Sequence, residues 1–215
     1  MYLNYMNTKE IAINNISRSY ILALKNFGFK LNDNNKNNFM KIFENVINRY
    51  SEPHRFFHTI EHIGAVLKNL KTSQPEAILA AIYHDIIYVP GSDQNEYCSA
   101  QLSANHLSML GIKPVLIMKV SRHILSTEQH VPIDLPGNEE LLDSDMMILA
   151  ASKPVFNEYC HNIRLEFPHL SNSEFESQRS RWALEQLGRK KIFHSKKNIR
   201  AEKIARISLR TLTKI

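Results

Sequence analysis

The stretch Ala80-Ala81-Ile82-Tyr83-His84-Asp85-Ile86-Ile87-Tyr88 is apolar or aromatic except for one adjacent imidazole and carboxylate. Its apolar residues favour a buried helix, which we predict over residues 75–88. The imidazole and the carboxylate need partners there, because charge costs free energy in an apolar core. The stretch therefore predicts a helical core with a polar site inside it.

The rest of the chain extends this helical pattern in both directions. Apolar residues recur at spacings of three and four, alternating patterns are nearly absent, and only six glycines interrupt the 215 residues. Such spacing is typical of amphipathic helices. We therefore predict an all-α protein, with helices that include residues 58–69 and 139–150.

Length sets the expected number of domains. A chain of 215 residues is long enough for one well-buried core. We predict a single domain over residues 1–215, because no linker-like segment divides it. In this domain N-terminal helices (1–50) pack on a central core (51–187), and a basic helix (188–215) follows.

The composition, with 43% hydrophobic and 22% charged residues, is that of a protein that folds in water. No run approaches the roughly 18 apolar residues of a membrane-spanning helix, and the first residues lack an export signal. Cys98 and Cys160 are too few for a disulfide scaffold, so we expect reduced core thiols. These features predict a cytoplasmic protein without a membrane partner.

The net charge of +6 is concentrated at the C-terminal end, where residues 188–215 hold ten Lys or Arg and one Glu. A basic segment of this kind can neutralise nucleic-acid phosphates. A solvated basic helix end explains the same charge, and we favour it over a nucleic-acid partner. The spacing of Glu202 and Arg206 also suits an ion pair along one helix.

Four residues from three separate segments form the candidate site. His62 precedes His84 by twenty-two residues, and Asp145 follows Asp85 by sixty. Two imidazoles and two carboxylates can close around one divalent metal ion, which would explain their apolar surroundings. The structural alternative is a buried histidine bonded to a backbone carbonyl and an aspartate that caps a helix. Asp143 is a better candidate than Asp145 for such a helix cap.

His58 lies four residues before His62, which is one turn of a helix. Both imidazoles are therefore expected to project from one face and to address one site. His58 is then either a further metal ligand or an acid beside the metal.

The order of these motifs resembles the HD superfamily of metal-dependent phosphohydrolases, whose defining ligands are His, His-Asp and a distant Asp. The resemblance is closest to a bacterial family of predicted metal-dependent HD phosphohydrolases, and it spans about residues 50–209. The matching segments are Phe57-His58-Thr59-Ile60-Glu61-His62, His84-Asp85, Asp143-Ser144-Asp145, Pro53-His54-Arg55-Phe56, Asp93-Gln94-Asn95-Glu96-Tyr97-Cys98-Ser99-Ala100, Thr127-Glu128-Gln129-His130, Arg164-Leu165-Glu166-Phe167 and Glu202-Lys203-Ile204-Ala205-Arg206.

The resemblance implies an HD-type helical bundle in which His62, His84, Asp85 and Asp145 bind the metal. A fainter similarity to cyclic-nucleotide phosphodiesterases implies that His58 protonates the leaving oxygen. One departure concerns the substrate: HD nucleotidases often carry a Glu three residues after His-Asp, where this chain has Tyr88.

Together with the resemblance, these residues predict a phosphohydrolase that cleaves a small phosphate ester such as a nucleotide, with water activated by the metal. Ligands of mixed nitrogen and oxygen type suit Mn²⁺, Fe²⁺, Co²⁺, Ni²⁺ or Zn²⁺ better than Mg²⁺. His58 would act as the acid, and Asp85 or Glu96 would orient the water. The expected substrate-binding residues are Arg55, Asn95, His130 and Arg164.

Several alternatives remain open at this point. The enzyme could be a nucleotide phosphodiesterase, or the chain could be a non-catalytic module in which a structural metal accompanies nucleotide or nucleic-acid binding. Arg55 could instead form a salt bridge to an acid at the edge of the core. The single tryptophan, Trp182, is expected in the core rather than as a platform for a base.

Overall fold

The computed structural model describes residues 2–195 and 198–213, with side chains from residue 8 onward. Within these residues the chain folds into ten α-helices and one short 3-10 helix, η1, and has no strand, which confirms the all-α prediction. The elements are α1 (Tyr2–Asn26), α2 (Asp33–Arg49), α3 (Ile60–Asn69), α4 (Pro75–Tyr83), α5 (Asn95–Met109), α6 (Pro114–Gln129), α7 (Asn138–Asp145), η1 (Met146–Ala150), α8 (Lys153–Glu166), α9 (Asn172–Gly188) and α10 (Ile199–Arg210). None of these helices is long and apolar enough to cross a membrane.

Helices α1 to α7 share the first of two hydrophobic clusters. In α1, the buried residues Ile16, Tyr20, Ala23 and Leu24 recur at helical spacing and face α3 and α4. Helix α4 is buried on nearly every side. The N-terminal helices therefore pack directly on the element that carries the candidate site.

Elements η1, α8, α9 and α10 build the second hydrophobic cluster. Its buried members are Met146, Leu149, Phe156, Tyr159, Ile163, Ala183, Ile192, Phe193, Ala205 and Leu209. The two clusters meet near residue 145, where α7 passes into η1. The predicted helix over residues 139–150 is thus divided at the last candidate ligand.

The basic C-terminal segment is anchored to the fold. The buried carboxylate of Asp143 accepts hydrogen bonds from the backbone N–H groups of His194 and Ser195 at 2.6 and 2.9 Å. It also accepts one from the Asn198 amide at 2.7 Å. Asp143 lies inside α7, so the alternative in which it is a helix N-cap does not apply.

The predicted ion pair in α10 is confirmed, with Arg206 Nε 2.7 Å from Glu202 Oε1. The same guanidinium donates to backbone carbonyls after α9. Of the ten basic residues in this segment, Lys196, Lys197 and Lys214 lie outside the described residues.

Helix α4 ends five residues before its predicted end at residue 88. Arg55 donates to the backbone carbonyls of Asp85 and Ile86 at 2.7 and 3.0 Å. The Asn95 amide bonds to both the N–H and the carbonyl of Val89, at 2.9 and 3.0 Å. Side chains distant in sequence therefore replace the helical hydrogen bonds of this turn.

Helix α3 begins two residues after its predicted start, so His58 is not helical. The backbone N–H groups of Phe56, Phe57 and His58 donate to one carboxylate oxygen of Glu166 at 2.8, 2.7 and 3.0 Å. The expected placement of His58 and His62 on one helix face is wrong for this reason. Their rings are nevertheless neighbours, with centroids 5.9 Å apart.

Gly64 permits a close approach of α3 to α1, and we expect Gly64→Ala to separate them. An added Cβ would lie 2.9 Å from the Cβ of Ala12, closer than carbon atoms pack. The free energy of unfolding, measured by urea denaturation, should fall by about 1–3 kcal/mol. Gly188→Ala is the control, because its Cβ meets nothing within 4 Å. Equal stabilities of the two variants would contradict this account.

Candidate functional site

The four predicted ligands come together at the ends of three helices. His62 lies in the first turn of α3, His84 caps the C-terminus of α4, Asp85 follows it, and Asp145 ends α7. His84 Nε2 lies 3.0 Å from Asp85 Oδ2 and 3.4 Å from Asp145 Oδ1. His62 Nε2 lies 3.2 Å from Asp145 Oδ1 and 3.6 Å from Asp85 Oδ2. The C-termini of α4 and α7 add partial negative charge that favours a cation.

The two imidazoles point buried Nε2 atoms at these carboxylates. His84 Nδ1 donates to the carbonyl of Ala81 at 3.1 Å, which leaves Nε2 as the free ligand atom. The Nε2 atoms of His62 and His84 are both buried without a hydrogen bond of acceptable geometry. Ligand atoms of His62, His84 and Asp85 all lie within 4.8 Å of one another. The residues present therefore fit a divalent ion of the N/O-ligated type.

The electrostatics of the cluster favour a positive charge between the imidazoles. Burial alone would lower the pKa of a histidine, yet Asp85 and Asp145 raise the pKa of both His62 and His84. Burial would likewise raise the pKa of the two carboxyls, but His84 and its neighbours hold both well below the usual range. The carboxylates thus stabilise a cation in this space, whether it is a proton or a metal.

His58 is held beside the cluster by a buried carboxylate. Its Nδ1 lies 2.7 Å from Glu166 Oε2, and Tyr88 donates its hydroxyl hydrogen to the same oxygen at 2.8 Å. The Tyr88 ring packs on His58 with centroids 4.1 Å apart. Burial would raise the pKa of Glu166, but the bond to His58, the charge of His58 and the backbone N–H groups of His58 and Phe57 lower it to about 2. Glu166 is therefore ionised near neutral pH and orients His58 through Nδ1.

Arg55 has a structural role instead of the expected phosphate contact. Its side chain is fully buried and ion-pairs with Glu52 at 3.1 Å. One terminal nitrogen donates to the carbonyls of both His58 and Asp85, at 3.1 and 2.7 Å. The salt-bridge alternative is correct, and Arg55 fixes the His58 loop against the turn that follows α4.

Arg164 also binds backbone and side-chain groups away from the His/Asp cluster. Its guanidinium donates to the carbonyls of Phe167 and Leu170 and to the Asn172 side chain, at 2.8, 3.0 and 2.9 Å. It closes the connection between α8 and α9 and does not line the cavity at the site. The structure therefore does not bring Arg164 together with the other residues predicted to bind substrate.

A cavity of about 370 Å³, here called the polar cavity, opens at the His/Asp cluster. His58 and the predicted residues Asn95, Glu96 and His130 all border it. The full lining is His58, His84, Asp85, Tyr88, Asn95, Glu96, Thr127, Glu128, Gln129, His130, Asp145, Met146, Trp182, Glu185, Gln186 and Arg189.

The predicted residues in this lining differ in what they already bind. Asn95 is buried and bonds the loop after α4, so it shapes the wall. His130 Nε2 lies 2.8 Å from Asp145 Oδ2 and orients that carboxylate. Glu96 is half-buried, and burial raises its pKa.

A second cavity of about 610 Å³ is mainly apolar and shares Asp145 with the polar cavity. Phe57 and Tyr159 border it, and their rings pack edge to face with centroids 4.6 Å apart. His62 also reaches this cavity, so the cluster borders two compartments of different polarity. His123 reaches neither, because it is buried against Asn138 at 3.1 Å.

Gln186 and Arg189 were not predicted as site residues, and Glu166 was named only as part of a matching segment. Gln186 and Arg189 lie more than forty residues after the last candidate ligand. Trp182, expected only in the core, packs on the second cluster and also borders the polar cavity. The spacing of residues 182, 186 and 189 along one helix face was the available signal.

Comparisons with known proteins identify no similar protein. No protein-family model matches the chain, and searches of curated proteins and of solved structures find no match.

Proposed function

We propose that the protein is a metal-dependent phosphohydrolase with an HD-type helical bundle. The observation that carries the proposal is the pair of buried, unpartnered imidazole nitrogens that face two carboxylates. Without a cation beside them, these nitrogens and the two carboxylates would be costly to bury, and a divalent ion can contact all four groups at once. The adjoining polar cavity and the oriented His58 add a place for substrate and a proton donor.

His62, His84, Asp85 and Asp145 would hold the ion, of the Mn²⁺, Fe²⁺, Co²⁺, Ni²⁺ or Zn²⁺ class. When bound, such an ion polarises a phosphoryl oxygen and makes water a stronger nucleophile near neutral pH. His130 fixes Asp145 through the 2.8 Å contact, as outer groups commonly orient metal ligands.

His58 supports the proton transfer to the leaving oxygen. Its Nδ1 hydrogen points to Glu166, so Nε2 is the atom that can give a proton to a group in the polar cavity. The Glu166 carboxylate stabilises the charged imidazole before transfer. General acid catalysis of this kind contributes about 10²–10⁴ in rate.

Glu96 is the better candidate for orienting the attacking water. Burial raises its pKa, whereas the cluster holds the pKa of Asp85 well below the usual range. A carboxylate with a higher pKa is the better proton acceptor near neutral pH. Asp85 then serves as a ligand.

The cavity volume favours a small substrate. A volume of about 370 Å³ is at the small end of ligand sites. We propose a small phosphate ester, with a nucleotide as the main candidate, as substrate in the cytoplasm. Cys98 and Cys160 are both unpaired, which agrees with a reducing compartment.

Elemental analysis of the purified protein, followed by a phosphate-ester screen with Mn²⁺, Co²⁺, Ni²⁺ or Mg²⁺, tests the proposal. We expect about one transition-metal ion per chain and release of inorganic phosphate, both abolished by a chelator and restored by the metal. A product that keeps its phosphate would indicate a phosphodiesterase. Tight nucleotide binding without turnover would instead support a binding module. The absence of both bound metal and turnover would refute the proposal.

A further inference from the structure

One face of α9 forms a wall of the polar cavity. Trp182, Gln186 and Arg189 all border it, with Trp182 and Gln186 one helical turn apart and Arg189 at the C-cap. The Arg179 guanidinium stacks on the Trp182 ring, 3.9 Å from its centroid, and holds the indole in place. This wall is separate in sequence from every proposed metal ligand.

Arg189 is a half-buried cation that forms no salt bridge among the described residues, although the nearby charge of Glu185 favours its charged form. Its hydrogen bond is a 3.3 Å contact from Nη1 to the carbonyl of His130. Burial lowers the pKa of this guanidinium, because the charged form is incompletely solvated. Planar guanidinium groups bind phosphate oxygens through paired hydrogen bonds. Arg189 thus has free donors beside the cavity.

The charge of the cavity wall makes Arg189 distinctive. Asp85, Glu96, Glu128, Asp145 and Glu185 border the cavity, while Arg189 is the only Lys or Arg in the lining among the residues that the structure describes. An anion that enters this acidic cavity therefore needs the metal ion together with this single guanidinium.

Gln186 adds an independent sign of a ligand. Its side chain borders the cavity, the residue is only 5% exposed, and its Oε1 is buried without a hydrogen-bond partner. A buried carbonyl oxygen without a donor lowers stability unless a bound molecule supplies one.

We propose that Arg189 and Gln186 form the substrate-recognition wall: Arg189 binds the phosphate, and Gln186 turns its side-chain amide to hydrogen-bond the organic group. The inference rests on the proposed function and defines its substrate class. The substrate is a phosphate ester with a hydroxyl or amino group near the phosphate, as in sugar phosphates and nucleotides.

The first test measures inorganic phosphate binding to the Mn²⁺-loaded protein by titration calorimetry. We expect Arg189→Gln to weaken binding about 10- to 100-fold, the usual effect of losing a hydrogen bond to a charged group. Arg189→Lys should be intermediate, since it keeps the charge without the planar fork. Lys190→Gln is the matched control, because Lys190 is exposed and outside the cavity lining. Equal losses in Arg189→Gln and Lys190→Gln, or no loss in either, would overturn the role of Arg189.

The second test separates recognition from structure at Gln186. Gln186→Met has similar volume and removes the unpartnered oxygen, so the thermal midpoint should be unchanged or higher. The preference in kcat/KM for glycerol phosphate over propyl phosphate should fall about 3- to 10-fold. A lower midpoint with an unchanged preference would show that Gln186 is structural and would overturn its assignment.

The two proposals fail in different ways. If the protein binds none of Mn²⁺, Fe²⁺, Co²⁺, Ni²⁺ and Zn²⁺ in the calorimeter, the proposed function and this inference both fail. If Mn²⁺ binds and esters are cleaved, but Arg189→Gln and Gln186→Met behave like the parent protein, only the recognition wall is refuted.

Discussion

Replacing Asp145 with Asn is expected to abolish stoichiometric metal binding and to lower phosphatase activity by about 10³-fold or more. Asp145 Oδ1 faces both imidazole nitrogens, at 3.2 and 3.4 Å, and Oδ2 contacts His130 at 2.8 Å. The amide keeps the shape but removes the charge that balances a divalent ion. Elemental analysis and the phosphate-release assay measure the two effects on one preparation.

The control for this variant is Asp134→Asn, which removes a carboxylate from an exposed loop position. It should keep the parent metal content and activity. Circular dichroism checks that Asp145→Asn is folded. A folded Asp145→Asn protein with full activity would show that the site is wrongly assigned.

Glu166→Gln is expected to reduce both stability and catalysis. The residue is 1% exposed, and its carboxylate contacts three backbone N–H groups, His58 and Tyr88. An amide cannot accept from all of them, so the free energy of unfolding should fall by about 2–4 kcal/mol. Loss of His58 orientation should also lower kcat about 10²–10⁴-fold, with a smaller change in KM.

The pH dependence of the free energy of unfolding provides a second test of the role of Glu166. The pKa of Glu166 is lowered in the folded protein to about 2, below the ordinary glutamate value of about 4.3. Its stabilising contribution is therefore complete above the ordinary value and is lost as pH falls towards 2. The free energies of unfolding of the parent protein and of Glu166→Gln, measured by urea denaturation, should converge across this window. A constant difference in stability down to pH 2 would contradict the assignment.

Two variants distinguish orientation of His58 from general stability. Tyr88→Phe removes one bond to Glu166 but leaves the His58 contact, so it should lose less activity than Glu166→Gln. Glu44→Gln changes an exposed carboxylate in α2 and should change neither property. If Tyr88→Phe lost as much activity as Glu166→Gln, orientation of His58 by Glu166 would not explain the effect.

The all-α fold could be predicted because it depends on local patterns, and the meeting of the four ligands could be predicted because each lies in an apolar segment where its polar group needs a partner. Helical spacing of apolar residues identifies most helices, and buried polar residues must find one another in a single core. The proximity of His62, His84, Asp85 and Asp145 in the structure agrees with that argument. Metal binding itself stays a prediction.

Helix ends and the partners of the arginines could not be predicted in the same way. Arg55 donates hydrogen bonds to the carbonyls of the turn after α4, and Glu166 accepts hydrogen bonds from the N–H groups before α3. These bonds join residues 30 and more than 100 positions apart. A single sequence does not show such pairings, and they decide whether an arginine faces a phosphate or a backbone.

The position of Asp145 between the two hydrophobic clusters links ion binding to global cooperativity. The other three ligands belong to elements around the first cluster, whereas η1, which begins the second, follows Asp145 directly. An ion held by all four side chains adds its binding free energy to the docking of the two halves. Metal loading would then convert two adjoining cores into one cooperative unfolding unit.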